Sequence, residues 1–102
     1  MSKKITGAVS HRKRVVEELR ADPELAQEYV RAAMEDDDPG TLLIALRNVA
    51  EARGGMAKIA KESGVTRESL YRALSKRGNP RLSTLAAVLK AAGLKLSVSK
   101  AA

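Results

Sequence analysis

Arg67, Glu68, Tyr71 and Arg72 are the side chains of this 102-residue sequence whose types and spacing point most directly to chemistry. At helical spacing they share one side with Ser75, opposite the apolar set Leu70, Ala73 and Leu74. The forked guanidinium groups of Arg67 and Arg72 match guanine O6 and N7 in bidentate fashion. The Glu68 carboxylate suits cytosine N4, and Tyr71 suits a base edge or a phosphate. Lys58, Thr66, Ser75, Lys76, Arg77 and Asn79 lie around this set. They are candidates to hold the phosphate backbone and fix register without reading sequence. Glu68 and Arg72 are four residues apart and are also able to bond each other. That bond either orients Arg72 toward DNA, the favoured reading, or ties up a surface face.

Such a face needs a helix held at its ends and packed on its other side. Residues 56–75 supply two short helical patterns around a Gly-Val turn, the order of a helix-turn-helix. Ile59 and Ala60 point inward from the first helix. Ala60 falls where a larger side chain would force the two axes apart. Gly64 suits the left-handed position that ends a helix. Val65 then turns into the core, and Thr66 is a natural N-cap for the second helix. A structural hairpin with no DNA to read would share part of this pattern.

Charge favours the DNA reading. Residues 1–20 hold six Lys/Arg and two Glu, residues 21–54 three Lys/Arg and eight Asp/Glu, and residues 55–102 ten Lys/Arg and two Glu. The excess behind the net charge of +7 therefore gathers around the hairpin and at the N-terminus. Lys and Arg that replace condensed counterions bind a nucleic-acid polyanion. An acidic middle beside a basic end suggests a second face for something else.

Other function classes fare poorly. No nucleophile–base pair or metal cluster is visible, so neither an enzyme nor a cofactor is expected. His11 stands alone. Asp36, Asp37 and Asp38 lack the alternating spacing of a calcium loop, and Asp38-Pro39 reads instead as an N-cap followed by proline at the first helical position. With two Tyr, no Phe and no Trp, single strands stacked on aromatic platforms are disfavoured. The absence of Cys excludes disulfides and cysteine-ligated metal. No apolar run approaches a membrane span and no signal peptide is visible, so a cytoplasmic protein is expected, with no membrane partner.

Apolar periodicity places helices over residues 11–21, 23–35 and 39–53, the last stopping at Gly54-Gly55. The hairpin follows, then a turn at Lys76-Arg77-Gly78-Asn79-Pro80. Ser83 is a candidate cap for a helix that buries Leu85, Ala86, Val88 and Leu89 and ends at Gly93. Leu94-Lys95-Leu96-Ser97-Val98 alternates apolar and polar residues, a strand signal. A lone strand leaves its backbone groups unpaired, so Leu94, Leu96 and Val98 are candidates to pair with the same segment of a second copy. Extension of the last helix, or a flat tail, is the alternative. The expected fold is all-α: a compact bundle of about five short helices containing a helix-turn-helix, with a short C-terminal β-strand. Residues 1–20 form a basic, partly disordered arm and residues 21–102 the DNA-binding domain.

The segment from Gly54 to Val98 resembles the Xre/Cro-type helix-turn-helix fold and, within it, the addiction-module antidote proteins of the HigA-like antitoxin group. Arg67 through Ser75, Gly78-Asn79-Pro80, Gly54-Gly55-Met56 and Gly93-Leu94-Lys95-Leu96 carry the resemblance. Upstream, Asp22 through Ala26 and the acidic run before Thr41-Leu42-Leu43 also fit, so it covers roughly residues 15–98. Met56 departs from the wider pattern, where a glutamine often contacts phosphate. That contact passes to a backbone N–H or to Lys58. The resemblance implies an antitoxin that binds a small RelE-like toxin ribonuclease and represses its own operon by binding operator DNA. Two copies would set recognition helices in successive major grooves about 34 Å apart. Residues 22–51 suit a basic toxin by charge, or are an ordinary solvated face. The basic arm is a further clamp for partner or DNA. A stand-alone Xre-family repressor, and an interaction module that has lost DNA binding, remain open readings.

Overall fold

The computed structural model describes residues 7–101 and contains six α-helices in this span: α1 Gly7–Ala21, α2 Leu25–Met34, α3 Pro39–Ala52, α4 Met56–Ser63, α5 Arg67–Ala73 and α6 Leu82–Ala91. The expectation of about five helices is corrected to six. The helix expected over residues 11–21 starts earlier, at Gly7 within the segment expected as an arm, with Leu19 buried and Val15 and Val16 packed against the core. Residues 1–6, part of the expected arm, lie outside the described residues.

α3 is the axis of the fold. It packs against α1, α2 and α4, while α4 packs against α5 and α6. Its start is fixed by sequence: the Asp38 carboxylate accepts from Gly40 N–H at 2.9 Å, and Pro39 opens the first turn. Asp36 accepts from the Asp38 N–H at 2.8 Å, so the acidic run builds the turn that enters the helix. Leu43, Leu46, Val49 and Ala50 then meet Leu19, Val30, Met56, Ile59, Leu70, Leu74 and Val88 in one buried cluster.

One polar layer crosses the otherwise apolar first half. Arg12 Nε donates to Asn48 Oδ1 at 3.2 Å, and Asn48 Nδ2 donates to Tyr29 Oη at 2.8 Å. Asn48, at 4% exposure, is the buried polar residue of the described chain, and these bonds offset the cost of burying its amide. The layer ties α1, α2 and α3 in one register. Arg53, at the end of α3, donates to the carbonyls of Pro23 (3.0 Å) and Ala92 (3.3 Å), which fastens the two halves.

The C-terminal strand expected over Leu94, Leu96 and Val98 is not formed: residues 94–101 carry no regular secondary structure. Leu94 is used by the end of α6. Its N–H donates to Leu89 O at 2.7 Å, beyond Gly93 at φ +84°, and its side chain packs on the core. Leu96 and Val98 follow at 44% and 97% exposure. With Leu94 spent on a helix end, the alternation that suggested a strand has too few residues left to direct one. Ser83 is not the cap of α6 either. Arg81 occupies that position without a side-chain bond, Ser83 falls inside the first turn, and Ala86 is exposed.

Candidate nucleic-acid interface

α4 and α5 are joined by Gly64-Val65-Thr66. Gly64 takes φ +78° with open space where a Cβ would stand, so the backbone angle alone calls for glycine. Val65 N–H donates to Ala60 O at 3.1 Å and closes α4. Thr66 Oγ1 accepts from Ser69 N–H at 3.0 Å and opens α5. Gly78 closes the far side for a different reason. A Cβ there would run into Ala73 O, so the loop backbone lies directly on the end of α5.

Only seven residues long, α5 buries Leu70 alone, with Leu74 buried just beyond it. Isolated helices of this length are not stable in water. This one is held by its cap, its apolar anchors and the two glycine turns, which leave one face of it open to solvent. Arg67, Glu68 and Arg72 are exposed, and no ion pair joins Glu68 to Arg72 among the described residues. Lys76, Arg77 and Asn79 continue the exposed surface. Lys58 is exposed and approaches Glu62 at 4.0 Å. Ser75 Oγ donates to Arg72 O at 2.9 Å, and Thr66 Oγ1 is committed to its cap, so these two hydroxyls already have protein partners. Met56, at 2% exposure, belongs to the core, so a contact at the start of α4 falls to a backbone N–H or to Lys58.

Tyr71 differs from its neighbours. It is half-buried, and its ring lies beneath the guanidinium of Arg47, 5.1 Å from ring centroid to Cζ. Arg47 comes from α3 and was no candidate on sequence. Its signal was its place: four residues after Leu43 and three before Ala50, on the packing side of an apolar helix.

A second surface lies on α2 and α3. Tyr29, Ala32, Ala33, Ile44 and Ala45 line an open groove with Asp38, Gly40, Thr41 and Lys76. Glu35, Asp36, Asp37 and the 57%-exposed Met34 lie at the adjoining end of α2. No group of three or more His, Cys, Asp or Glu residues is placed to hold a metal, and no helix is long and apolar enough to cross a membrane, among the described residues.

A family model described as "Probable addiction module antidote protein" matches residues 11–100. The chain belongs to this antidote family. The match runs from α1 through α6 and past the end of α6, so both surfaces fall within the family's extent. An uncharacterized protein of Haemophilus influenzae is 38% identical over 86 residues, covering 84% of this chain and 87% of its own. No solved structure matches. An addiction-module antidote counteracts a toxin, so membership points to a toxin–antitoxin role with a toxin partner.

Proposed function

We propose that this chain is the antitoxin of a type II toxin–antitoxin module, that it neutralises a RelE-like toxin ribonuclease by direct binding, and that it represses its own operon by binding operator DNA. Family membership supports the toxin half. The DNA half is carried by one observation: a seven-residue helix, capped at its start and anchored by a single buried leucine within its length, that leaves Arg67, Glu68 and Arg72 in solvent. A helix kept for packing would bury more of itself.

In this reading α5 enters the major groove as part of a helix-turn-helix. Arg67 and Arg72 take guanine edges and Glu68 a cytosine amine. Lys58, Lys76, Arg77 and Asn79 contact phosphates on either side. Two copies bind two half-sites about one helical turn apart. The toxin lies against the acidic α2–α3 surface, where Glu35, Asp36 and Asp37 are exposed beside apolar groove walls. A ribonuclease that handles RNA is basic near its site, and opposite charge steers the encounter.

The test is recovery of the tagged chain from its host, with bound protein and bound DNA both identified. The expected result is a small basic protein together with the promoter fragment upstream of this reading frame. Promoter DNA with no such protein would replace the antitoxin reading with that of a stand-alone repressor. Recovery of neither at low salt would contradict both halves.

A further inference from the structure

Among the described residues Arg47 is a cation without an anion. The twelve Asp and Glu side chains all lie within the described residues, since residues 1–6 and 102 contain none. None forms an ion pair with Arg47; the ion pairs among the described residues are Arg31–Glu28 and Lys58–Glu62. Arg47 Nε is buried and makes no hydrogen bond, the one such side-chain atom among the described residues. Elsewhere the fold satisfies its buried polar groups with care, as the Arg12–Asn48–Tyr29 layer shows. Leaving a buried donor unpaired is costly, and more so on a charged group. The Tyr71 ring steadies the guanidinium plane but accepts no such bond in its place.

Nε itself is closed to an outside partner, but the two Nη nitrogens are not among the buried unpaired atoms of this half-buried side chain, so they can meet an anion from outside the chain. Tyr71 stands one turn after Arg67 on α5, and Arg47 reaches its ring from a different helix, so the guanidinium lies on the flank of α5. An α-helix with its side chains is about 10–12 Å across, and the major groove of DNA about 12 Å wide. A helix seated there fills the groove, and side chains along its flank from neighbouring elements meet the phosphate walls. We propose that Arg47 binds a backbone phosphate of duplex DNA, with Tyr71 acting as the platform that aims it rather than as a reader of bases. This rests on the proposal that α5 enters the major groove, and it moves Tyr71 from contact to support.

The test is the salt dependence of binding to the promoter fragment upstream of this reading frame, with an unrelated duplex of equal length alongside. Each phosphate contact contributes about 0.9 to the slope of log affinity against log salt. Arg47→Met keeps the stem and the apolar contact with Tyr71 but removes the charge. It is expected to weaken binding to both duplexes and to lower the slope by about 0.9, so that its deficit against the parent shrinks about 3.5-fold between about 50 and 200 mM salt. Arg47→Lys is expected to restore the slope. Melting curves are read first, and Arg47→Gln replaces Arg47→Met if that variant unfolds. A neutral variant with the parental slope overturns the assignment while leaving the DNA reading intact, even if affinity falls. The same holds if neutral variants bind DNA as the parent does and lose only the toxin, since the missing anion would then be a protein carboxylate. A parent chain with no salt-dependent binding to either duplex removes the DNA reading and this inference together.

Discussion

α3 and α5 are held in the fold by different means. α3 buries eight of its fourteen residues and touches three other helices. α5 buries one of seven and depends on what stands at its ends. The first is stabilised by the area that it removes from water. The second is stabilised by a cap, two turns and a leucine at its centre, which leaves the face of Arg67, Glu68 and Arg72 uncommitted. A helix of the first kind organises a core. A helix of the second kind can be rewritten on its outer face without unfolding the protein, as a reading surface requires.

The largest effects should ignore this difference. Leu46 in α3 and Leu70 in α5 are both fully buried, at 1% and 0% exposure. Replacement of either by alanine is expected to cost about 2–5 kcal/mol, measured by urea unfolding. If Leu70→Ala costs under about 1 kcal/mol, α5 is not anchored as described.

The two glycine turns separate next. Gly78→Ala drives a Cβ into Ala73 O and should cost about 1–3 kcal/mol, as overpacking does. Gly64→Ala meets no atom, and its cost of about 1–2 kcal/mol comes from the left-handed backbone. Asparagine tolerates that backbone, so Gly64→Asn should recover part of the loss, whereas Gly78→Asn should recover none. Equal behaviour of the two asparagine variants in thermal melts would count against this division.

The cap comes third. Thr66→Ala is expected to lose about 1 kcal/mol and Thr66→Ser much less, because the serine hydroxyl still accepts from Ser69 N–H. Equal losses for the two would mean that the methyl group rather than the hydrogen bond matters. Smallest of all, Arg67→Ala and Arg72→Ala should move stability by no more than about 0.5 kcal/mol, since both side chains are exposed.

Helix positions were legible wherever apolar periodicity ran between strong end signals. Asp38-Pro39 and Thr66 stand at helix starts as their chemistry demands. The C-terminal strand was misread because Leu94-Lys95-Leu96 looks the same whether Leu94 begins a strand or finishes a helix, and only the core beneath α6 decides. Ser83 was misread because a capping side chain one position inside a helix looks like one at its boundary. Within the candidate site, the exposure of Arg67, Glu68 and Arg72 followed from the helical wheel. The half-burial of Tyr71 did not, because it depends on Arg47 arriving from a helix twenty-four residues earlier, a contact no local pattern encodes.

The measurement that tests the central claim most directly is a fluorescence-anisotropy titration of the promoter duplex with the parent chain and with the Arg67→Ala/Arg72→Ala double variant, at equal salt. Each bidentate guanine contact is worth about 1–3 kcal/mol, so the double variant should bind at least about thirtyfold more weakly while melting at nearly the parental temperature. A double variant that binds the promoter as tightly as the parent would contradict the account, because the free face of α5 would then not be the surface that meets DNA.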